Sequence, residues 1–236
     1  MFGKKWRDTL LGGASELGVT LDMDQAEQMA CHAGELLRWN SRINLTAIVE
    51  PQDMAVKHFI DSIALIPWLP DGAKLIDIGS GAGFPGIPLK IANPSLDVTM
   101  IDASRKKVSF LSHMIRVLFK KTPSNCTGIE ALHARAGQLA MEPEYANGFD
   151  AVLARAFAPL TEFTKIAIPF LKEDGTVFAM KGDMDQGELA LFDGTDFGPY
   201  RTGGRRLLKT EREIIRYTLP FGGHKRSLVK IYPVFP

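Results

Sequence analysis

The chain has 236 residues, of which 45% are hydrophobic and 23% charged, with a formal net charge of +1. This is the composition of an ordinary soluble globular protein, and the length suits one large domain or one domain with an appendage. The sequence shows no membrane-span length of apolar residues, no secretion signal and no metal-ligand pattern around its two cysteines. We therefore expect a reduced cytoplasmic protein, monomeric and without a bound metal.

The first part of the chain is predicted to be helical. Apolar residues recur at helical spacing over residues 24–38, and a second helix is expected over residues 53–66. The sequence PWLPDG, residues 67–72, then marks a break. Residues 1–70 are therefore predicted to form an N-terminal helical extension, and residues 71–236 the main domain.

Beyond this break, strand-like and helix-like segments alternate. Strands are expected at AKLIDIG, LDVTMID, IEALHARA, DAVLARA and GTVFAMKG, and helices at PGIPLKIAN, residues 104–119 and LTEFTKIAIPFL. This order predicts an α/β fold with a mostly parallel sheet and helices on both faces. REIIRYTLP and RSLVKIYPV are predicted to add a C-terminal antiparallel strand pair. Ligands of such sheets bind beyond the carboxyl ends of the strands.

A glycine-rich sequence, LIDIGSGAGFPGIPL, spans residues 75–89 at that edge of the sheet. A tight structural turn, a dinucleotide site or an S-adenosylmethionine site would each explain its GxGxxG pattern. Asp77 disfavours the dinucleotide, because a carboxylate repels pyrophosphate but attracts the cationic sulfonium and amino groups of S-adenosylmethionine. Asp102 ends the next strand, where an acid accepts both ribose hydroxyls. The arrangement resembles the S-adenosylmethionine-dependent methyltransferases, which implies a Rossmann-like fold.

The absence of motifs that are typical of other methyltransferases narrows the range of possible methyl acceptors. RAFAPL stands after the fourth strand, where amino-group methylation commonly uses an Asn/Asp-Pro-Pro-aromatic motif. Neither Cys31 nor Cys126 is placed to act as the nucleophile of pyrimidine C5 methylation, and Arg155 stands where ribose methylation usually needs an acid. Guanine N7 carries a lone pair and no proton, so its methylation needs no general base. The lack of an obvious base fits that acceptor without proving it.

Six motifs occur in order along the chain: RWNSRINLTAI (38–48), KHFIDSIAL (57–65), DIGSGAGFPGIPL (77–89), IDASRKKVSFL (101–111), VLARAFAPL (152–160) and AMKGD (179–183). Through them the chain resembles the bacterial 16S rRNA guanine-N7 methyltransferase family RsmG, once called glucose-inhibited division protein B. The resemblance implies methylation of N7 of guanine 527, in rRNA numbering, in the 530 loop of 16S rRNA. The alternative is a methyltransferase that acts on a small molecule or a protein.

The glycine-rich sequence and the resemblance together give the expected site residues. The expected cofactor contacts are Asp77, Gly79, Gly81, Gly83, Phe84, Asp102, Ala136, Gly137 and Arg155. Arg155, Lys181 and His58 are expected to position the substrates, and no residue is assigned as an acid or a base. Many family members carry Glu where this chain has Gly137, so a side-chain contact to the cofactor is missing there.

Charge is distributed unevenly near the C-terminus. Residues 183–196 contain five acids and no base, whereas residues 201–230 contain nine Lys or Arg and two Glu. The basic segment is either a solvated face balanced by the acidic one or a phosphate-binding face. We expect Arg205 and Arg226 to contact 16S rRNA in the small ribosomal subunit. Asp77 disfavours a nicotinamide-dependent oxidoreductase, and the intact glycines disfavour a non-catalytic RNA-binding module.

Overall fold

The computed structural model describes residues 1–119, 128–184, 186–197, 201–202, 205–207 and 209–234, with the backbone alone at 201–202 and 205–206. Cys126 lies outside the described residues, and Cys31 is exposed. None of the helices in these ranges is long and apolar enough to cross a membrane.

Helices come first along the chain: α1 (Lys4–Glu16), α2 (Met23–Asn40), α3 (Pro51–Met54) and α4 (Asp61–Ile63). The sequence did not predict α1, whose segment contains two adjacent glycines. The helix is held by tertiary contacts, because its Trp6 is buried and donates a hydrogen bond from Nε1 to the Pro51 carbonyl oxygen at 2.8 Å. The predicted helix over residues 24–38 is confirmed as α2, which begins with a capping box between Asp22 and Gln25.

The second predicted helix is continuous but irregular. A π-helical segment, Ala55–Ile60, joins α3 to α4. Such wide turns are rare and often occur at functional sites, because they redirect side chains. Here the irregular turn carries His58 and leads into Asp61, and both side chains are buried. They face the interior of the protein.

The main sheet has seven strands in the order β3-β2-β1-β4-β5-β9-β8. Its strands are β1 (Lys74–Ile78), β2 (Asp97–Asp102), β3 (Ile129–His133), β4 (Phe149–Arg155), β5 (Leu171–Lys181), β8 (Lys209–Thr218) and β9 (Lys225–Val234). β1 to β5 are parallel, whereas β9 lies antiparallel between β5 and β8. The predicted α/β fold with a C-terminal antiparallel pair is therefore confirmed. Two short strands, β6 (Arg201–Thr202) and β7 (Arg205–Arg206), form a separate ladder.

The remaining helices connect the strands: α5 (Gly86–Ala92), α6 (Arg105–Leu118), α7 (Ala136–Leu139), α8 (Leu160–Ala167) and α9 (Gln186–Asp193). Two predicted boundaries were wrong. β3 ends at His133, because the chain turns into α7 at Ala136, within the segment expected to be strand. β5 begins at Leu171, which pairs with Phe149, earlier than the sequence indicated.

Apolar layers cover both faces of the sheet. Leu75 faces one layer, whereas Ile76 and Ile78 face the other, as expected for a strand buried on both sides. Buried residues of α1 and α2 belong to the same layer as those of α5 and α6, so the N-terminal helices share a hydrophobic layer with the sheet. The predicted boundary at residue 70 lies between a short helical turn that ends at Trp68 and the start of β1.

Candidate functional site

The glycine loop after β1 has a backbone that other residues would not adopt easily. Gly79, Gly81 and Gly83 all have positive φ angles, of 74°, 56° and 85°. A Cβ at Gly79 would lie 2.5 Å from the ring of Phe157, and one at Gly83 would lie 2.4 Å from Ile87 Cδ1. Side chains are therefore excluded at these two positions by both backbone conformation and packing.

Asp77 lies beneath this loop and is fully buried. Its Oδ2 accepts a hydrogen bond from the Gly86 amide at 3.1 Å, and its carbonyl oxygen accepts one from the Ser80 hydroxyl at 2.8 Å. Oδ1 has no hydrogen-bond partner among the described residues, and burial raises the pKa of the carboxyl group to about 7. The carboxyl group thus braces the loop, and its unpartnered oxygen fits a hydrogen-bond donor such as an amino group.

Asp102, at the end of β2, braces the loop from the other side. Its Oδ2 accepts a hydrogen bond from the Gly81 amide at 3.1 Å, and its Oδ1 accepts one from the Ser104 amide at 2.8 Å. Each carboxylate oxygen has room for a further hydrogen bond. The carboxylate lines a cavity at the carboxyl ends of the strands, as the sequence predicted for an acid that accepts ribose hydroxyls.

This first cavity, the cofactor cavity, has a volume of about 510 Å³, within the range of small-molecule sites. It brings together five of the expected cofactor contacts: Gly79, Asp102, Ala136, Gly137 and Arg155. Asp77, Gly81, Gly83 and Phe84 do not line it. Phe84 is buried instead, with its ring stacked between those of His32 and His58. Direct contact of these four residues with the cofactor stays a prediction.

Phe157 is a cavity-lining residue that sequence reasoning missed. Its ring lies against Gly79, yet the residue is 42% exposed. The preceding Ala156 has a φ of 50°, a conformation that is uncommon outside glycine and that often marks functional sites. The signal that could have found it was the aromatic residue inside RAFAPL, directly after β4.

A second cavity, the acceptor cavity, adjoins the first and has a volume of about 350 Å³. Its lining comprises Ile48, Lys57, His58, Asp61, Arg155, Ala156, Met180, Lys181, Gly182 and Arg226. Arg155 and Ala156 line both cavities. All three expected positioning residues therefore line the same cavity, and Arg155 lies between the two cavities.

Arg155 is held by a set of directed contacts. Nη1 donates a hydrogen bond to the Lys57 carbonyl oxygen at 2.9 Å, and Nη2 donates one to Nδ1 of His58 at 3.0 Å. Nη1 also lies 3.7 Å from Oδ2 of Asp61, and the guanidinium carbon lies 5.1 Å from the centre of the Phe84 ring. These contacts hold a buried cation in one orientation between the two cavities.

His58 cannot act as a base in this arrangement. Because Nδ1 accepts a hydrogen bond from Arg155, the proton of the neutral ring lies on Nε2, which donates to Thr46 Oγ1 at 2.8 Å. Burial, followed by the charge of Arg155, lowers the pKa of His58 to about 3. The ring is neutral at physiological pH and its only lone pair is occupied, so His58 positions Arg155.

Asp61 balances the charge of two arginines. Its Oδ1 accepts hydrogen bonds from Nε of Arg226 at 3.1 Å and from the hydroxyl of Tyr217 at 3.4 Å. Burial raises the pKa of Asp61, and the two guanidinium groups act against that rise. Arg226 therefore lies in the wall of the acceptor cavity, where only a fifth of its side chain is exposed. Sequence patterns do not predict this network, because its members are far apart along the chain.

Lys181 lies at the end of β5 and also lines the acceptor cavity. Its Nζ donates hydrogen bonds to the Ala158 carbonyl oxygen at 2.6 Å and to Oε1 of Glu188 at 2.8 Å. Glu188 also accepts a hydrogen bond from the Leu160 amide at 2.7 Å. Lys181 thus ties the segment after β4 to β5 and α9, and supports the backbone that carries Phe157.

Most described bases of the segment 201–230 have carboxylate partners. Lys209, Arg212, Lys225, Arg226 and Lys230 each lie within 4.0 Å of an acid. Two of those acids, Asp183 and Asp193, belong to the acidic stretch that the solvated-face interpretation invoked. Arg205 lies in β7, but its side chain is outside the described part of the structure. Within the described ranges, no cluster of His, Cys, Asp and Glu could hold a metal ion.

Comparison with known proteins gives the family. The family described as "GidB: rRNA small subunit methyltransferase G" matches residues 25–195. Ribosomal RNA small subunit methyltransferase G from Geobacter sp. (strain M21) is 42% identical over 225 residues, which cover 95% of this chain and 96% of that protein. The protein of the same name from Roseiflexus sp. (strain RS-1) is 38% identical over 230 residues, 97% and 92% of the two chains.

Solved structures with little sequence similarity share the fold. An O-methyltransferase from Bacillus cereus, in complex with SAH, aligns with a TM-score of 0.54 at 14% identity, over 86% of this chain and 90% of that one. A SAM-dependent methyltransferase from Aquifex aeolicus aligns with a TM-score of 0.53 at 15% identity, over 84% and 97%. With a family match over most of its length and close relatives along nearly all of it, the chain belongs to the rRNA small subunit methyltransferase G (GidB) family.

Proposed function

We propose that the protein transfers the methyl group of S-adenosylmethionine to N7 of guanine 527, in rRNA numbering, in the 530 loop of 16S rRNA. The observation that carries this proposal is the pair of adjoining cavities that share Arg155 and Ala156. One cavity has the lining expected for the cofactor. The other is open to an acceptor, and its lining has four cationic side chains and one carboxylate.

The cofactor cavity suits S-adenosylmethionine, which supplies an electrophilic methyl group when bound. Asp102 presents carboxylate oxygens to the ribose, and the backbone at Ala136 and Gly137 borders the adenine. Gly79 lines the cavity and has no side chain of its own, so the backbone of the glycine loop can be approached by the methionine part. Oδ1 of Asp77, buried beneath the loop without a partner, fits the amino group.

The acceptor cavity suits an acceptor that has no proton to lose. His58 has no free lone pair, and Asp61 is ion-paired through Oδ1 with Arg226 and through Oδ2 with Arg155. Lys181 donates its hydrogen bonds to Ala158 and Glu188. No described lining residue therefore presents a free general base. Catalysis then rests on the alignment of N7 with the methyl group and on the exclusion of water.

The charge of the acceptor cavity favours RNA. Lys57, Arg155, Lys181 and Arg226 line it, against a single lining carboxylate from Asp61. A cationic cleft attracts the phosphate backbone and raises the rate of association. We propose small-subunit rRNA as the partner, with Arg205 and Arg226 among its contacts, and a monomeric, cytoplasmic enzyme.

Labelled S-adenosylmethionine tests the class of acceptor. The protein is incubated with small ribosomal subunits from cells that lack the corresponding methyl group, and the RNA and protein fractions are then separated. We expect label in the rRNA fraction. Label in ribosomal proteins alone, or in small molecules of an added cell extract alone, would overturn the proposal in favour of the alternative methyltransferase class.

A further inference from the structure

The turn between β8 and β9 carries a strained, exposed aromatic residue. Phe221 has a φ of 61° and is 62% exposed. The left-handed conformation is unfavourable for a residue other than glycine, and a bulky side chain there is an outlier. Gly222 and Gly223 follow it. Strain of this kind is retained where the surroundings enforce it, often at functional sites.

This turn lies at the edge of the sheet that carries the acceptor cavity. β9 is antiparallel to β5, and Ser227 near its start pairs with Lys181 at the end of β5. Tyr217 and Arg226 are cross-strand partners next to the turn, and both contact Asp61. Phe221 therefore lies in the turn next to this cross-strand pair, four residues after Tyr217 and five before Arg226, which lines the acceptor cavity.

The ring packs against α1. A Cβ at Gly13 of α1 would lie 3.3 Å from Phe221 Cε2, and one at Gly12 would lie 3.6 Å from Cζ. The ring thus rests on a patch of α1 without side chains. No described aromatic ring stacks on it, since the ring pairs within the described residues involve other side chains. It is fixed in position while most of it faces solvent.

The surroundings of Phe221 match single-stranded nucleic acid. Residues 214–230 contain four Lys or Arg, one His and no acid. Lys225, four residues after Phe221, has 75% of its side chain accessible and lies 4.0 Å from the exposed Asp183. An aromatic platform next to cations is the usual means by which proteins hold unpaired bases.

We propose that Phe221 is a stacking platform for an unpaired base of the rRNA, next to the nucleotide that enters the acceptor cavity. This inference rests on the proposed function. A base–aromatic stack of about 1–3 kcal/mol corresponds to about 5- to 150-fold in affinity. The proposal therefore predicts a loss of RNA affinity of that size when the aromatic ring is removed, with no loss of cofactor affinity.

The test measures binding of the full-length protein to unmethylated small ribosomal subunits. Phe221→Leu removes the aromatic ring and keeps an apolar side chain, whereas Phe221→Trp keeps a stacking surface. Trp68→Leu is the matched control, because Trp68 is also exposed beside a lysine, Lys230, and lies in a different part of the surface, near the start of β4. Melting temperature and affinity for S-adenosylmethionine are measured for each variant.

We expect Phe221→Leu to bind subunits about 5- to 150-fold more weakly, and Phe221→Trp and Trp68→Leu to bind like wild type. Unchanged binding by Phe221→Leu would overturn the proposal while leaving the proposed function intact. A loss shared by RNA binding, cofactor binding and melting temperature would also overturn it, because Phe221 would then only fasten the turn to α1. Failure of wild-type protein to bind the subunits would instead contradict the proposed function.

Discussion

Nη2 of Arg155 lies 3.0 Å from Nδ1 of His58, a hydrogen bond between residues 97 positions apart in the sequence. The bond fixes the tautomer of the histidine and the orientation of the arginine together. It also occupies the lone pair through which the neutral ring of His58 could act as a base. The site is thereby built for alignment of its substrates.

The absence of a free base predicts the pH profile of the reaction. Because the pKa of His58 is lowered to about 3, the ring stays neutral at working pH. We expect the single-turnover rate on saturating subunits to reach a plateau, without a bell shape, between about pH 6 and 9. A falling limb in that range, with substrate shown to be intact, would indicate an acid–base pair that the proposed chemistry does not need.

The geometry of Arg155 predicts the effect of a conservative change. Arg155→Lys keeps the charge but cannot bond to Lys57 and His58 at once. We expect kcat to fall by about 10²-fold, the effect of a displacement of about 1 Å at a reacting centre, while cofactor affinity changes little. Arg216→Lys, at an exposed arginine of β8, is the control and should keep wild-type kcat. An equal kcat for Arg155→Lys and wild type would show that the orientation of Arg155 is unimportant.

Burial of Asp77 predicts an unusual pH dependence of stability. Its pKa is raised from an ordinary 3.8 to about 7, so the folded protein holds a proton that the unfolded chain releases above about pH 4. The stability due to this group is present below about pH 4 and is lost as the pH rises to about 7. Asp77→Asn, which is neutral at every pH, should therefore melt higher than wild type at pH 8, by a margin that shrinks at pH 5.

The same variant tests whether Asp77 serves the cofactor. Loss of a charge-assisted hydrogen bond should lower the affinity for S-adenosylmethionine by about tenfold to a hundredfold, the equivalent of about 1.5–3 kcal/mol. Calorimetry on the folded variant gives the dissociation constant. If that constant matches wild type, Asp77 braces the loop and nothing more.

Replacement of Gly137 by glutamate is expected to strengthen cofactor binding. A Cβ at this position would meet nothing within 4 Å, so glycine is not required by packing. Gly137→Glu restores the side chain that the family resemblance implies, and one added hydrogen bond of about 0.5–1.5 kcal/mol should strengthen cofactor binding about 2- to 10-fold. Gly137→Ala is the control, since it gains helix propensity without a carboxylate. Equal affinities for the two variants would mean that the glutamate finds no partner here.

The basic segment predicts the salt dependence of RNA binding. If Arg205 contacts a phosphate, Arg205→Ala should reduce the log–log salt slope by about 0.7–0.9. Arg212→Ala should leave the slope unchanged, because Arg212 is already bonded to Asp193, with Nε at 2.7 Å from Oδ1. The same titration with Arg226→Ala tests the other expected contact. Equal slopes for wild type and Arg205→Ala would favour the interpretation of the basic segment as a solvated face that does not bind phosphate.

Local patterns predicted the parts of the fold that depend on local sequence. β1 and β2 follow from apolar runs that end in acids, and the glycine loop follows from residues that tolerate positive φ. The helix α1 was missed because its glycines have low helix propensity, and burial of Trp6 overrides that preference. Tertiary contacts decide whether a segment of low helix propensity becomes helical.

Long-range contacts explain what was missed at the site. Asp61 pairs with Arg226 across 165 residues, and no spacing rule connects them. Phe84 lies in the glycine-rich motif, yet its ring is stacked on His32 and His58 from the N-terminal helices, which sequence alone could not place there. The motif identified the site, and the packing of the helices decided which of its side chains line the cavity.

Nucleoside analysis of the methylated product tests the central claim most directly. Unmethylated small subunits are treated with the protein and labelled S-adenosylmethionine, and the 16S rRNA is then digested and its modified position mapped. We predict one labelled nucleoside, 7-methylguanosine, at position 527 in rRNA numbering, formed by wild type and strongly reduced in Arg155→Lys. Label on another base, on an exocyclic amine or on a ribose hydroxyl would contradict the account, because the acceptor cavity as described offers no free base for those reactions.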